Sequence, residues 1–142
     1  MTTTNGTRAL KACAGARRVW IGGFLNLSAL GQAIHESRPE RLLLVCAGTG
    51  EVEASEDVIG AGAPCDLLWD DLGQSACDPA LIARDHYLNS CDQLYESISQ
   101  TKNAQRLLSI PDLAADVEFC LQRDTYPVAG HKGRKGQVSA YG

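Results

Sequence analysis

No apolar run in these 142 residues approaches the roughly 18 residues of a membrane-spanning helix. The opening residues, MTTTNGTRAL, contain no apolar signal-peptide core. A membrane partner is therefore not expected. Basic excess is also missing: 13 Lys and Arg stand against 17 Asp and Glu, for a net charge of −4. That balance argues against nucleic-acid binding, which needs a basic footprint. No C-x-x-C pair, internal repeat or low-complexity tract occurs. The six cysteines, Cys13, Cys46, Cys65, Cys77, Cys91 and Cys120, are widely spaced and mostly lie in apolar patterns. They read as reduced core thiols of a cytoplasmic protein, not as disulfide or zinc ligands. What remains is an ordinary soluble composition, 44% hydrophobic and 21% charged, in a chain long enough for one domain with its own core.

Two glycine-containing loops stand out: Thr3-Thr4-Asn5-Gly6-Thr7, and Cys46-Ala47-Gly48-Thr49-Gly50. Each precedes an expected helix, so backbone N–H groups gather at the positive helix end, where an anion can bind. The second loop brings Glu51, Glu53, Glu56 and Asp57 close together. Phosphate donors beside carboxylates suggest chemistry on a phosphorylated metabolite with a divalent cation.

Helices are expected over 6–14, from Asn26 or Ser28 to Pro39, and over 55–68 with a kink or break at Pro64. The helix opened by Asp78-Pro79 is expected to run on with Leu81, Leu88, Cys91, Leu94, Tyr95 and Ile98 at helical spacing. Short helices near 102–109 and 112–122 follow. Val19-Trp20-Ile21 reads as a short strand, and Leu42 to Cys46 as a parallel strand buried on both faces. Trp20 and Trp69 read as core or interface anchors. Alternating β and α predicts an α/β fold, a three-layer α/β/α arrangement with a mostly parallel sheet. The Thr3–Thr7 loop should follow a buried strand for which Met1 leaves no room, so the sheet is expected to be incomplete. Its open edges predict a homo-oligomer.

Each candidate residue also has a plain structural role. Thr4, Asn5, Gly6 and Thr7 could hold phosphate or sulfonate oxygens, or simply form a capped turn. Arg8 could pair with an anion or remain solvated. Glu56 and Asp57 suit a magnesium site or general-base work, yet the helix dipole alone favours carboxylates there. Glu51 and Glu53 read as a solvated loop, His35 and His86 as helix-surface residues, and Cys46 as a core thiol. His131, Lys132, Arg134 and Lys135 form a basic cluster on a solvated tail that could fold over a doubly anionic substrate.

The segments Thr3–Leu10, Gly23–Ala29, Cys46–Thr49, Ser55–Asp57 with Ala61-Gly62, and Asp116–Cys120, in this order, resemble the 2-phosphosulfolactate phosphatase (ComB-type) family. The resemblance implies a magnesium-dependent phosphatase that converts 2-phosphosulfolactate to sulfolactate and phosphate, in coenzyme M or sulfolactate metabolism. It implies Glu56 and Asp57 as catalytic and metal residues. Thr4, Asn5, Gly6, Thr7, Arg8, Asn26, Gly48 and Thr49 would bind a small phosphorylated sulfonic or carboxylic acid. Residues 1–125 become the C-terminal part of the phosphatase domain, and 126–142 a basic, glycine-rich tail. Two departures stand out. The family's long N-terminal portion has no counterpart here, and Gly23 stands where serine is expected, with a poor match from His131 onward. The alternative reading is a catalytically incomplete fragment, or a module that binds such acids without turnover.

Overall fold

The computed structural model describes residues 4–133 and 137–141. Among these residues the chain is mixed α/β and mostly helical. Eight α-helices run in order: α1 (Thr4–Ala12), α2 (Leu27–Ser37), α3 (Ser55–Leu67), α4 (Trp69–Leu72), α5 (Asp78–Leu88), α6 (Leu94–Ser99), α7 (Lys102–Leu108) and α8 (Pro111–Cys120). Three short strands, β1 (Trp20–Ile21), β2 (Ala129–Lys132) and β3 (Val138–Tyr141), make one sheet in the order β1-β2-β3.

Both pairings are antiparallel, with Trp20 opposite His131 and Gly130 opposite Ala140. The described sheet is therefore not the expected parallel one. Leu42–Cys46 is not a strand, and Leu43 and Val45 are exposed. The segment is apolar enough for a central strand, but the described residues supply no strand beside it, and a strand exists only through its partner's hydrogen bonds. The tail from Tyr126, expected to open on a short strand and then turn polar, supplies β2 and β3. There the Lys132 ammonium donates to the Leu10 carbonyl at 2.8 Å, which ties the tail to α1. Arg134 and Lys135 lie outside the described residues, as does Thr3.

Helix α2 buries Leu27, Leu30, Ala33 and Ile34, the expected face. Its free N-terminus is satisfied from far along the chain. The Asp124 carboxylate accepts from the Ser28 N–H at 2.6 Å and from the Ser28 hydroxyl at 2.7 Å. Asp124 itself adopts a left-handed conformation, φ 56°, with its N–H donated to the Phe24 carbonyl. Helix α3 continues unbroken through Pro64 to Leu67, where a kink or break was expected. Only three residues follow the proline, so the lost N–H costs the helix little of its length.

The expected long helix from Asp78 divides into α5 and α6, separated by a 3₁₀ turn at Cys91–Gln93. Of the expected face, Ile98 is buried and Cys91 and Leu94 pack against the core, while Leu81, Leu88 and Tyr95 are exposed; within α5 the buried residues are Ala83 and Tyr87. The reason lies across the contact. A Cβ on Gly62 of α3 would stand 2.0 Å from the Ala83 carbonyl oxygen and 2.6 Å from Tyr87 Cβ. Backbone meets backbone there, so the small residue at position 83 faces in and its leucine neighbours turn outward. The main core joins Phe24, Leu27, Ile59, Ala63, Tyr87, Ile98, Ala104 and Val117. A second cluster joins Leu30, Ile34 and Leu68, with Trp20, Leu42 and Leu72 against it. The six cysteines are free, as expected, but none is fully buried.

Three substitutions test this packing and capping. Gly62→Ala should cost about 2 to 4 kcal/mol in urea unfolding, because overpacking here meets backbone rather than a movable side chain. Gly60→Ala, whose Cβ would meet nothing within 4 Å, should be neutral or stabilising by up to ~1 kcal/mol. Desolvation raises the Asp124 carboxyl, but the Ser28 hydrogen bonds and the Arg123 charge outweigh it and hold it below its ordinary 3.8. A depressed carboxyl stabilises the fold above its unfolded pKa, and that contribution is lost as pH falls through the folded value. Asp124→Asn should therefore flatten the part of the stability profile below about pH 4, measured by thermal melts across the acid range.

Candidate functional site

The loop between Cys46 and Glu53 is held from three directions. Its own turn closes through reciprocal backbone bonds between Thr49 and Val52, at 2.9 and 3.2 Å. Gly48 and Gly50 both sit at φ 65°, in the left-handed region that disfavours a side chain. A Cβ on Gly48 would also stand 2.9 Å from the Val52 carbonyl oxygen.

The first turn of α3 supplies the second hold. Asp57 Oδ2 accepts from the Gly48 N–H at 2.6 Å, and Glu56 Oε1 accepts from Asn103 Nδ2 at 2.5 Å. The third hold comes from two other helices. Asn103, in the first turn of α7, also donates to Thr49 Oγ1 at 2.6 Å. Arg8 of α1 donates to the Gly50 carbonyl at 3.1 Å and pairs with Glu51 at 2.5 Å. That ion pair is exposed, so its contribution is on the order of 0–1 kcal/mol.

The structure thus brings together Arg8, Gly48, Thr49, Glu56 and Asp57 from the expected set. Two of the expected backbone donors are engaged internally. The Gly48 N–H serves Asp57 and the Thr49 N–H serves Val52. The Gly50 and Glu51 N–H groups have no hydrogen bond among the described residues. Thr49 Oγ1 accepts from Asn103, which leaves its own proton to donate.

Thr4, Asn5, Gly6 and Thr7 form the first turn of α1 rather than a loop before it. Asn26 is engaged with backbone elsewhere. Its amide donates to the Ile21 and Val128 carbonyls at 3.2 and 3.0 Å, and its oxygen accepts from the Gly23 N–H at 3.0 Å. These bonds join β1, the start of α2 and the approach to β2.

Glu56 and Asp57 each spend one oxygen on the loop. Neither Glu56 Oε2 nor Asp57 Oδ1 has a hydrogen bond among the described residues. A carboxylate oxygen with no hydrogen bond is a ligand type that magnesium takes, since it binds one or two carboxylates and completes its shell with water and phosphate. No cluster of three or more metal-ligating side chains occurs among the described residues, so the protein's share of such a shell is limited to this pair. Desolvation raises the Cys46 thiol, and the Asp57 and Glu53 charges raise it further. Its hydrogen is directed to the Asp57 carbonyl at 3.4 Å. This thiol is the opposite of an activated nucleophile.

A family model described as 2-phosphosulpholactate phosphatase matches residues 1–131. The chain belongs to the 2-phosphosulfolactate phosphatase family. Among curated relatives, a protein of Caldicellulosiruptor saccharolyticus is 32% identical over 129 residues, covering 87% of this chain and 53% of its own. One of Thermotoga petrophila is 35% identical over 128 residues, covering 89% and 52%. One of Prochlorococcus marinus (strain MIT 9313) is 30% identical over 148 residues, covering 99% and 59%. Each is named a probable 2-phosphosulfolactate phosphatase. The chain spans a little over half the length of these family members.

Asn103 was not legible in the sequence. It lies 54 residues from Thr49 and 47 from Glu56, and only the tertiary fold, with Ala104 of α7 in the same core as Ile59 and Ala63 of α3, brings them together. Its nearest signal is local: Thr101 caps α7 by accepting from the Ala104 N–H, which places Asn103 in the first turn. Asn103→Ala should speed hydrogen exchange at the Gly48 N–H by roughly tenfold, about 1.4 kcal/mol, the scale of one hydrogen bond to a charged group. Unchanged exchange there, read by NMR, would remove Asn103 from the contacts that hold the loop.

Proposed function

We propose that this chain carries the phosphate-handling site of a magnesium-dependent phosphatase that converts 2-phosphosulfolactate to sulfolactate and phosphate. The observation that carries the reading is the pair Glu56 and Asp57, each with one oxygen on the glycine loop and one left over. Family membership supports 2-phosphosulfolactate as the substrate. Magnesium, when bound, neutralises charge on the phosphoryl oxygens.

The chain's own residues do the rest. The Gly50 and Glu51 N–H groups and the Thr49 hydroxyl donate to phosphoryl oxygens, in the manner of a preorganised anion site. Arg8 exchanges Glu51 for the substrate's anionic end, a bidentate match that a guanidinium makes well. In hydrolysis, the water oxygen bonds to phosphorus, the ester P–O bond breaks, and the proton lost by water balances the leaving alkoxide. One of the two acids, Glu56 or Asp57, takes that proton on its free oxygen as the base and passes it on to the alkoxide, and the free oxygen of the other would hold the cation. Positioning and charge stabilisation supply most of the rate in phosphoryl transfer, and this set of groups provides both.

The chain's length relative to its relatives favours a second reading, in which the loop binds such acids and turnover requires more of the family's chain. Phosphate release from 2-phosphosulfolactate, with and without magnesium, separates them. Magnesium-dependent release that falls at least about 100-fold in Glu56→Gln and in Asp57→Asn supports the enzyme, since that loss is about 2.7 kcal/mol of transition-state stabilisation. Calorimetric binding without release supports the second reading. Undiminished release in both variants would remove the carboxylates from the chemistry.

A further inference from the structure

Glu51, Glu53, Glu56 and Asp57 crowd the glycine loop with negative charge. Among the described residues, Arg8 is the single Lys or Arg with a hydrogen bond to 46–53. The loop's own acid already takes that guanidinium. Nη2 pairs with Glu51 Oε1 at 2.5 Å, while Nη1 donates to the Gly50 carbonyl at 3.1 Å.

The ion pair does little for the shape of the loop. The turn closes through Thr49 and Val52, Asp57 holds the Gly48 N–H, and Asn103 holds Thr49 and Glu56. The bond to Gly50 keeps Arg8 beside the loop whether or not Glu51 is engaged. The Glu51 side chain is 87% exposed and that of Arg8 54%, so the two can part in water at little cost. What the pair does decide is whether a guanidinium is available to a ligand. A bidentate grip needs two parallel N–H groups, and Gly50 and Glu51 each hold one of the two terminal nitrogens.

We infer that Glu51 is a built-in competitor for Arg8, and that it loosens the hold on the part of the ligand that hydrolysis leaves unchanged. The inference rests on the phosphatase reading. There the sulfonate and the carboxylate are the same in 2-phosphosulfolactate and in sulfolactate, so Arg8 grips substrate and product alike. Binding that is equal before and after the reaction adds nothing to the chemical step and slows release. Glu51 reclaims Arg8 as the product acid departs.

Calorimetry with sulfolactate and magnesium tests this on the chain, on Glu51→Gln, on Arg8→Gln and on the double variant. Sulfolactate is the product, so nothing is turned over during the titration. Glu51→Gln should tighten its binding about two- to fivefold, the range of one exposed ion pair, and the gain should vanish when Arg8→Gln is also present. Sulfolactate binding that is absent, unchanged or weaker in Glu51→Gln overturns the inference. So does an equal gain in the Arg8→Gln background, where Glu51 would act only as a nearby negative charge. Neither result touches the phosphatase reading. That reading fails instead if inorganic phosphate with magnesium leaves the Gly50 and Glu51 amides unmoved by NMR.

Discussion

Helix α3 belongs to two structures at once, and its contact with α5 serves both. Gly62 lets the α5 backbone approach until the Ala83 carbonyl occupies the space of a missing Cβ. That approach orients the rest of α3. One turn toward its N-terminus Ile59 enters the core beside Tyr87, and one turn further Glu56 and Asp57 face the glycine loop. Because helix interiors are stiff and packed cores resist small displacement, the position of the two carboxylates follows from a packing contact made well away from them.

The loop, in turn, is shaped by the acids beside it. A carboxylate that accepts a backbone N–H at 2.6 Å holds that N–H where an anion would otherwise sit. Asp57 therefore sets the turn, and the donors left for an anionic ligand are shifted along it to Gly50 and Glu51. Asn103 performs a matching service for Glu56 and Thr49, since one amide nitrogen serves both acceptors and fixes their separation. Preorganisation of this kind is what a phosphate site needs, because the donors must be in place before charge develops. Arg8 differs in kind. It is exposed, its partner Glu51 is more exposed still, and it can change partners at little cost.

The sequence was most legible where structure is local. Helix α2 was recognisable from Leu27, Leu30, Ala33 and Ile34, and α3, α7 and α8 appear close to their expected bounds, because apolar spacing and first-turn residues encode them. Leucine spacing misled in α5, where the approach of Gly62 favours alanine inward. The carboxylates and the glycine loop were legible as a pair because they are neighbours in the chain. Asn103 and Asp124 were not, since the groups they bind lie 47 to 96 residues away and only tertiary packing joins them. Residues 42–46 fall between these cases. Their continuous apolar composition is that of a strand buried on both faces, but strand formation depends on a neighbour that the segment itself does not encode.

The central claim is that the Gly48–Glu51 loop and the Glu56–Asp57 pair form one site for a cation and a phosphate. An NMR titration of the chain with magnesium and inorganic phosphate, followed at the backbone amides, tests it most directly. The account predicts that the largest shifts fall at Gly50 and Glu51, that they need both ions together, and that Glu56→Gln or Asp57→Asn abolishes them. Shifts confined to other segments, or equal shifts in both variants, would contradict it.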